Sequence, residues 1–497
     1  MNIPPFVALI ALPLLGSPVT YLVGRLGVSR GARWLAPAAA VLVLTASWIP
    51  FALSVPDIVQ GRTPTHTLGS LTLALDGLSL LLAAVALGLG LLVALYSGPY
   101  LGRELGTEKF SAMLVAMVGV MIGLGCATDL FNLWIWFEAM AVCSYLLVAF
   151  YREQPASLEA GLKYLVQSAA GSTLVLLGIG LVLAQTGTLQ LEELRLQGGS
   201  GLLVAAGALF VIGFGVKAAL VPLHTWLPDA HSQAPSGISA MLSGVVIEAG
   251  LVAILRSLGA LAGVTGLWGP LLLGFGAVNM LLGNLMALRQ VQVKRLLAYS
   301  SLAHMGYMLL GLGFFVTANE ASGAQGGLFH LFNHGLMKGL AFLAAGSLLF
   351  VLHLQHGDHA PLTVQDLSGA ARRYPLVALT LSLAVLGLGG LPPLAGFMSK
   401  WQIFVAGFRV AAPWAGWLVV FAALNSVLSL AYYAPLVNAV YRREPSEAVQ
   451  KGGRLPLAMS LPLAILGLAV VAIGVWPNLM TWLTVPAGQA LVRAFGG

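Results

Sequence analysis

The chain has 497 residues, of which 59% are hydrophobic and only 8% charged, with a formal net charge of +7. Soluble domains carry roughly 25% charged residues, so this composition excludes a soluble globular protein and points to an integral membrane protein. The excess of Lys and Arg is a topology signal rather than a sign of nucleic-acid binding.

Apolar runs close to the bilayer-spanning length of about 20 residues fall at roughly 3–24, 34–54, 77–97, 110–127, 130–150, 163–184, 201–225, 236–257, 264–287, 295–316, 327–352, 375–407, 413–440 and 455–480. They predict an all-α polytopic membrane protein with fourteen transmembrane helices. The first run is kept as a helix because it lacks a clear cleavage site and its Arg25 follows the apolar stretch, the wrong end for a signal peptide. Arg25, Arg30, Arg33, Arg103, Lys109, Arg152, Lys163, Arg289, Lys294, Arg295, Arg372, Arg373, Arg442, Arg443, Lys451 and Arg454 follow odd-numbered helices, while the opposite side holds only Arg62, Arg195, Arg256, Arg409 and Arg493. The positive-inside rule then places both termini on the non-cytoplasmic side of the cell's inner (plasma) membrane. Residues 226–235 read as the one cytoplasmic loop without Lys or Arg. Cys126 and Cys143 lie in apolar runs without CxxC spacing, so iron–sulfur or haem ligation is not supported and no cofactor is expected.

In chain order, the first chemistry is Asp76, which reads as the N-cap of the third helix. A short turn at Asp129 leads into the fifth helix, which holds Glu138 well inside the membrane. A carboxylate there is either a neutral, hydrogen-bonded acid or a counter-charge that keeps a lysine protonated. The lysine at hand is Lys217, in the middle of FVIGFGVKAALVPLHTWLPDAH. Pro222, five residues on, cannot donate to the carbonyl of Ala218 and crowds the preceding turn, so the seventh helix is expected to break there. An ammonium at bilayer depth costs about 2.5–3.5 kcal/mol on insertion scales, and irregular backbone survives there only inside protein or beside a water-filled cavity. Together they point to an ion path, against the alternative of a lysine snorkelling to the headgroups.

The eighth helix places Glu248 near its centre in wholly apolar company. The tenth, VKRLLAYSSLAHMGYM, sets Lys294 and Arg295 at the cytoplasmic edge and runs Tyr299, Ser300, Ser301 and His304 inward; Lys294 reads equally as a topology anchor. The eleventh carries His330, His334 and Lys338 at spacings of four, about 12 Å along one face. A proton-carrying line of imidazoles, an ammonium and water fits this stripe better than a metal, since no HExxH is present and the third group is a lysine. His353, His356, Asp358 and His359 have a spacing a metal could use but read as a solvated loop. In the twelfth run Gly389, Gly390, Pro392 and Pro393 should break the helix, with Lys400 beyond. Two broken helices five apart, each with a lysine, are what two inverted five-helix repeats predict. This divides the chain into 1–109 (helices 1–3), 110–258 (first repeat, helices 4–8), 259–440 (second repeat, helices 9–13) and 441–497 (helix 14), with only a short segment after the last helix and no long amphipathic arm.

The segments LFNLWIWFE, VKAALVPLHTWLPDAHSQAPSGISAMLSG, VKRLLAYSSLAHMGYM, FHLFNHGLMKGLAFL and GLPPLAGFMSK resemble the proton-conducting antiporter-like family. That family takes in antiporter-like subunits of respiratory complex I, the large antiporter-like subunits of Mrp Na+/H+ antiporters and related membrane-bound hydrogenase subunits. The likeness spans roughly residues 70–440. It implies fourteen helices with two inverted repeats, broken helices 7 and 12, and a midplane line of charged residues. By position, Glu138 and Lys217 match the family's helix 5 glutamate and helix 7 lysine, His330, His334 and Lys338 its helix 11 motif, and Lys400 its helix 12 lysine. Glu248 departs from the lysine or neutral residue usual in helix 8, and a length near 500 without a long arm suits the shorter of the Mrp antiporter-like chains or the shorter complex I and hydrogenase chains.

The expected function is an ion-translocating subunit of a multisubunit membrane complex, moving protons along Glu138, Lys217, Glu248, His304, His330, His334, Lys338 and Lys400, with Na+/H+ antiport open. Its partners are other membrane subunits and the lipid bilayer. SGISAMLSG and Glu248 tilt the reading toward an Mrp-type or hydrogenase-type assembly; a redox-driven complex I-like pump is the alternative. A self-sufficient transporter of an organic solute would share the broken helices, but the histidine and lysine line favours protons.

Overall fold

A computed structural model describes residues 4–496 of the chain. Among these, twelve helices are long and apolar enough to cross a membrane. They are α1 (Pro5–Ser29), α2 (Leu35–Val59), α3 (Gly77–Tyr100), α4 (Thr107–Gly125), α5 (Leu130–Val148) and α6 (Pro155–Thr186), then α8 (Ser236–Ala260), α9 (Trp268–Ala287), α10 (Val293–Ala318), α11 (Ala321–Leu352), α13 (Pro413–Val440) and α14 (Leu457–Val475). The two missing numbers are the broken helices: α7 is split into α7a (Gly201–Lys217) and α7b (Trp226–Gln233), and α12 into α12a (Pro375–Gly389) and α12b (Ala395–Arg409). The fourteen-helix reading therefore holds.

Both breaks fall where the prolines lie, and the bonds Val221–Pro222 and Pro392–Pro393 are cis. Resumption of α7 as α7b corrects the sequence reading of 226–235 as a loop: Trp226, Leu227 and His231 are buried in a helix, and the chain turns only at Ala234–Pro235. The polar letters of this stretch disguise it, because its Asp, His and Gln face protein and not lipid.

Packing repeats in order along the chain. α4 packs on α5, α5 on α6, α6 on α7a and α7a on α8; five helices later α9 packs on α10, α10 on α11, α11 on α12 and α12a on α13. A unit with an odd number of crossings starts on opposite sides of the membrane when repeated, so the second copy is inverted. α11 lies at the centre, touching α3, α8, α10, α12 and α14. Small residues allow this closeness: a Cβ on Gly335 of α11 would lie 2.8 Å from the Gly244 carbonyl of α8.

Three of the elements without a counterpart in the sequence reading bear on the site and its flanks. Thr65–Leu68 (β1) and Leu71–Ala74 (β2) form an antiparallel hairpin on the face that carries Asp76. Leu242–Val246 form a π-helical turn within α8, just before Glu248. Thr481–Ala494 form α15, which lies against α3 and α11.

Asp76 does cap α3: its carboxylate accepts the Ser79 N–H at 2.9 Å. It also takes a two-pronged ion pair from Arg256 of α8, at 2.6 and 2.7 Å. Burial pushes the Asp76 pKa up, but the Arg256 guanidinium and the Ser79 bonds outweigh it and hold the carboxyl below its usual value. A carboxylate depressed in the fold stabilises fully above its unfolded pKa and loses that contribution as pH falls through the folded value. Asp76→Asn is therefore expected to lower stability by about 3 kcal/mol at neutral pH, since Arg256 is left without its partner. Thermal unfolding of the detergent-solubilised chain against pH checks this: the wild type should lose stability toward acid, and the variant should show less of that loss.

Candidate functional site

α7a ends at Lys217, whose side chain is fully buried. Its Nζ donates to the Tyr164 hydroxyl at 2.9 Å and the Ser168 hydroxyl at 2.8 Å, both from α6. The ammonium also lies 4.3 Å from the Tyr164 ring centre and 5.6 Å from that of Phe137, so ring faces supply part of the solvation it has lost. Tyr164 is held in turn by stacking on Trp226 of α7b at 3.9 Å, and the Trp226 indole donates to the Val216 carbonyl at 2.7 Å. The break thus builds the lysine's own socket.

The opened backbone is plugged from α9. Asn279 accepts the Val221 N–H at 2.9 Å and donates to the Ala219 carbonyl at 3.1 Å, while Ala219 itself sits in the left-handed region at φ +55°. Asn279→Leu should leave a buried N–H and a carbonyl unpaired and cost about 2–4 kcal/mol, read as a lowered Tm.

Glu138 sits on α5 and is not within ion-pair distance of Lys217, and its buried Oε1 has no hydrogen-bond partner among the described residues. Any influence on Lys217 acts through space.

The larger cluster centres on α11. Glu248 of α8 is fully buried, and its Oε1 lies 2.8 Å from Nδ1 of His334. Nδ1 of His304 on α10 lies 3.0 Å from Nε2 of His330, and the His304 ring is 5.4 Å from that of His334. His330 Nδ1 continues to the Ser399 hydroxyl of α12b at 2.8 Å. Lys400, the next residue, donates to the Leu388 carbonyl at 2.8 Å and the Ser426 hydroxyl at 2.9 Å, and its Nζ lies 4.4 Å from the Tyr307 ring centre. Lys338 donates to the Leu297 carbonyl at 2.7 Å and to the Ser300 hydroxyl. Four helices therefore bring one carboxyl, three imidazoles and two amines together.

The two lysines at breaks differ in use. Lys400 caps a carbonyl of its own broken helix, whereas Lys217 turns away from its break to α6. Gly250 lets α8 approach the α7 break, since a Cβ there would lie 2.7 Å from the Ala218 amide. Glu248 thus stands on the helix that touches both the Lys217 break and the α11 imidazoles.

Of the residues expected on the proton path, Lys217, Glu248, His304, His330, His334, Lys338 and Lys400 are buried, and Glu138 is half-buried. Lys294 also turns inward, donating to the Ala234 carbonyl at 2.5 Å. Sequence reasoning missed Tyr164, Ser168, Ser399, Ser426 and Asn279. Tyr164 and Ser168 lie four apart in α6, a polar pair on one face that the spacing already exposed. Asn279 gives no local signal, because its role exists only against another helix's open turn.

Two broken helices meeting a buried line of titratable groups define a polytopic membrane subunit of the antiporter-like class. The chain belongs to the NADH:quinone oxidoreductase/Mrp antiporter transmembrane family, whose model matches residues 127–429. It is 34% identical to F(420)H(2) dehydrogenase subunit N of Methanosarcina mazei over 447 residues, covering 87% of this chain and 88% of that one. It is 32% identical to NADH-quinone oxidoreductase subunit N of Anaeromyxobacter sp. over 488 residues, covering 92% and 90%. Among solved structures, a chain of the archaeal membrane-bound sulfane sulfur reductase matches with a TM-score of 0.88 and 27% identity over 98% of both chains. A chain of the Mrp complex from Dietzia sp. matches at 0.85 and 23% identity, covering 98% of this chain and 99% of that one, which shows the fold.

Proposed function

We propose that this chain is the proton-translocating subunit of a multisubunit, redox-driven membrane complex. The observation that carries the reading is the linked set Glu248–His334 and His304–His330–Ser399, ending beside Lys400, buried between α8, α10, α11 and α12b. Imidazoles relay protons because one ring nitrogen accepts as the other donates. Adjacent charges set each other's proton affinity, so a proton arriving at one group favours release from the next.

Redox coupling is favoured over Mrp-type antiport by the relatives at 30% identity or above, which bear the names of dehydrogenase, quinone reductase and hydrogenase subunits. Protons are favoured over Na+ by the lining: Lys217, Lys338 and Lys400 repel a cation, and Glu248 spends one oxygen on His334. The distribution of Lys and Arg supports termini on the non-cytoplasmic side of the plasma membrane.

The test is proton uptake by proteoliposomes that hold the intact complex, driven by its electron donor. His330→Phe should cut uptake roughly 10²-fold, with the complex still assembled. Uptake at the wild-type rate would overturn the relay.

A further inference from the structure

On the flank of the bundle, away from the buried line, α1, α4, the end of α5 and the start of α6 enclose a mostly apolar crevice of about 990 Å³. Phe110, Met113, Leu146 and Phe150 form its walls, with the Phe110 and Phe150 rings packed edge to face at 5.4 Å. Its mouth lies at the helix ends rich in Lys and Arg. Lys109 and Arg152 line that mouth, are exposed, and make no ion pair among the described residues. Arg25 stands one turn beyond Tyr21, another lining residue, and so on the same side of α1. Among the lining residues, the two cations Lys109 and Arg152 face one acid, Glu153.

We propose that this crevice is a binding site for an anionic phospholipid, with acyl chains between Phe110, Met113 and Leu146 and the headgroup phosphate held by Lys109 and Arg152. A mostly apolar slot that ends in unpaired cations at the membrane edge matches the two-part chemistry of such a lipid. Leu105 at the mouth is 79% exposed, an apolar residue whose cost in water is removed when it meets lipid. The charge balance selects an anionic over a zwitterionic headgroup, because a choline or ethanolamine group would add a cation to the two that line the mouth.

The intact complex, purified in mild detergent and delipidated, is titrated with phosphatidylglycerol and, separately, phosphatidylcholine, and bound lipid on this subunit is counted by native mass spectrometry. Phosphatidylglycerol should bind more tightly, and the Lys109→Ala/Arg152→Ala double variant should weaken it ~30-fold, at ~1 kcal/mol for each lost cation. Arg372→Ala/Arg373→Ala, at a different site on the same edge, should not. Met113→Trp, which fills the slot and leaves the charges, should also exclude the lipid. Equal binding of the two lipids, or undiminished binding in the double variant, would overturn the site. So would a cysteine at Leu105 that cross-links quantitatively to a neighbouring subunit with no lipid bound, since the slot would then be a subunit contact.

Discussion

Lys217→Met should abolish proton uptake by the reconstituted complex while leaving its assembly intact. Lys217 is the one cation at the α7 break, and its partners are two hydroxyls and two aromatic faces, none of which carries a charge. Methionine keeps the volume and the apolar stem, so packing between α6 and α7a survives. The Tyr164 and Ser168 hydroxyls lose a charge-assisted partner, at a cost of about 1.5–3 kcal/mol before they rearrange. That is small beside the loss of a titrating site. Lys217→Arg gives the contrasting arm: it keeps the charge but does not release a proton near neutral pH, so it should fail as Met does. Full activity in the Arg variant would mean that only the charge matters. Glu138→Gln, with its through-space influence alone, should weaken transport and shift its pH profile without abolishing it.

Glu248→Gln is the second large effect. The amide keeps the shape of the carboxyl and can still bond His334, but it cannot carry a proton, so uptake should fall by roughly 10²-fold or more. Proton and Na+ fluxes are to be measured separately in this variant, and wild-type values for both would remove Glu248 from the path. Glu248→Lys should also impair transport. It would place a further ammonium beside a cluster that already holds Lys338 and Lys400, and it would lose the acceptor at 2.8 Å from His334.

How much of this was legible in the sequence depended on whether the signal was local. The breaks in α7 and α12 were written in Pro222, Pro392 and Pro393, and the α11 face in the four-residue spacing of His330, His334 and Lys338. Asp76 announced itself as a cap by preceding an apolar run. The hairpin at Thr65–Ala74 alternates around a Gly-Ser turn, a local signal of the same kind. Other features arise only from packing. The π-helical turn before Glu248 has no letter of its own, and α7b carries polar residues because protein rather than lipid surrounds it. The Glu138–Lys217 partnership was expected from two opposite charges inside the membrane; the fold makes no direct ion pair between them and surrounds Lys217 with the Tyr164 and Ser168 hydroxyls of α6 and the rings of Tyr164 and of Phe137 on α5. Helix order could be counted, but which faces meet could not.

If the buried line conducts, Glu248 must gain and lose a proton during turnover. Infrared difference spectroscopy of the working complex reads this directly, through the carbonyl stretch of a protonated carboxyl in a dry site. A band should appear or vanish when the electron donor is added, and it should be missing in Glu248→Gln. A spectrum in which the wild type and Glu248→Gln show the same carboxyl bands would contradict proton transfer through Glu248.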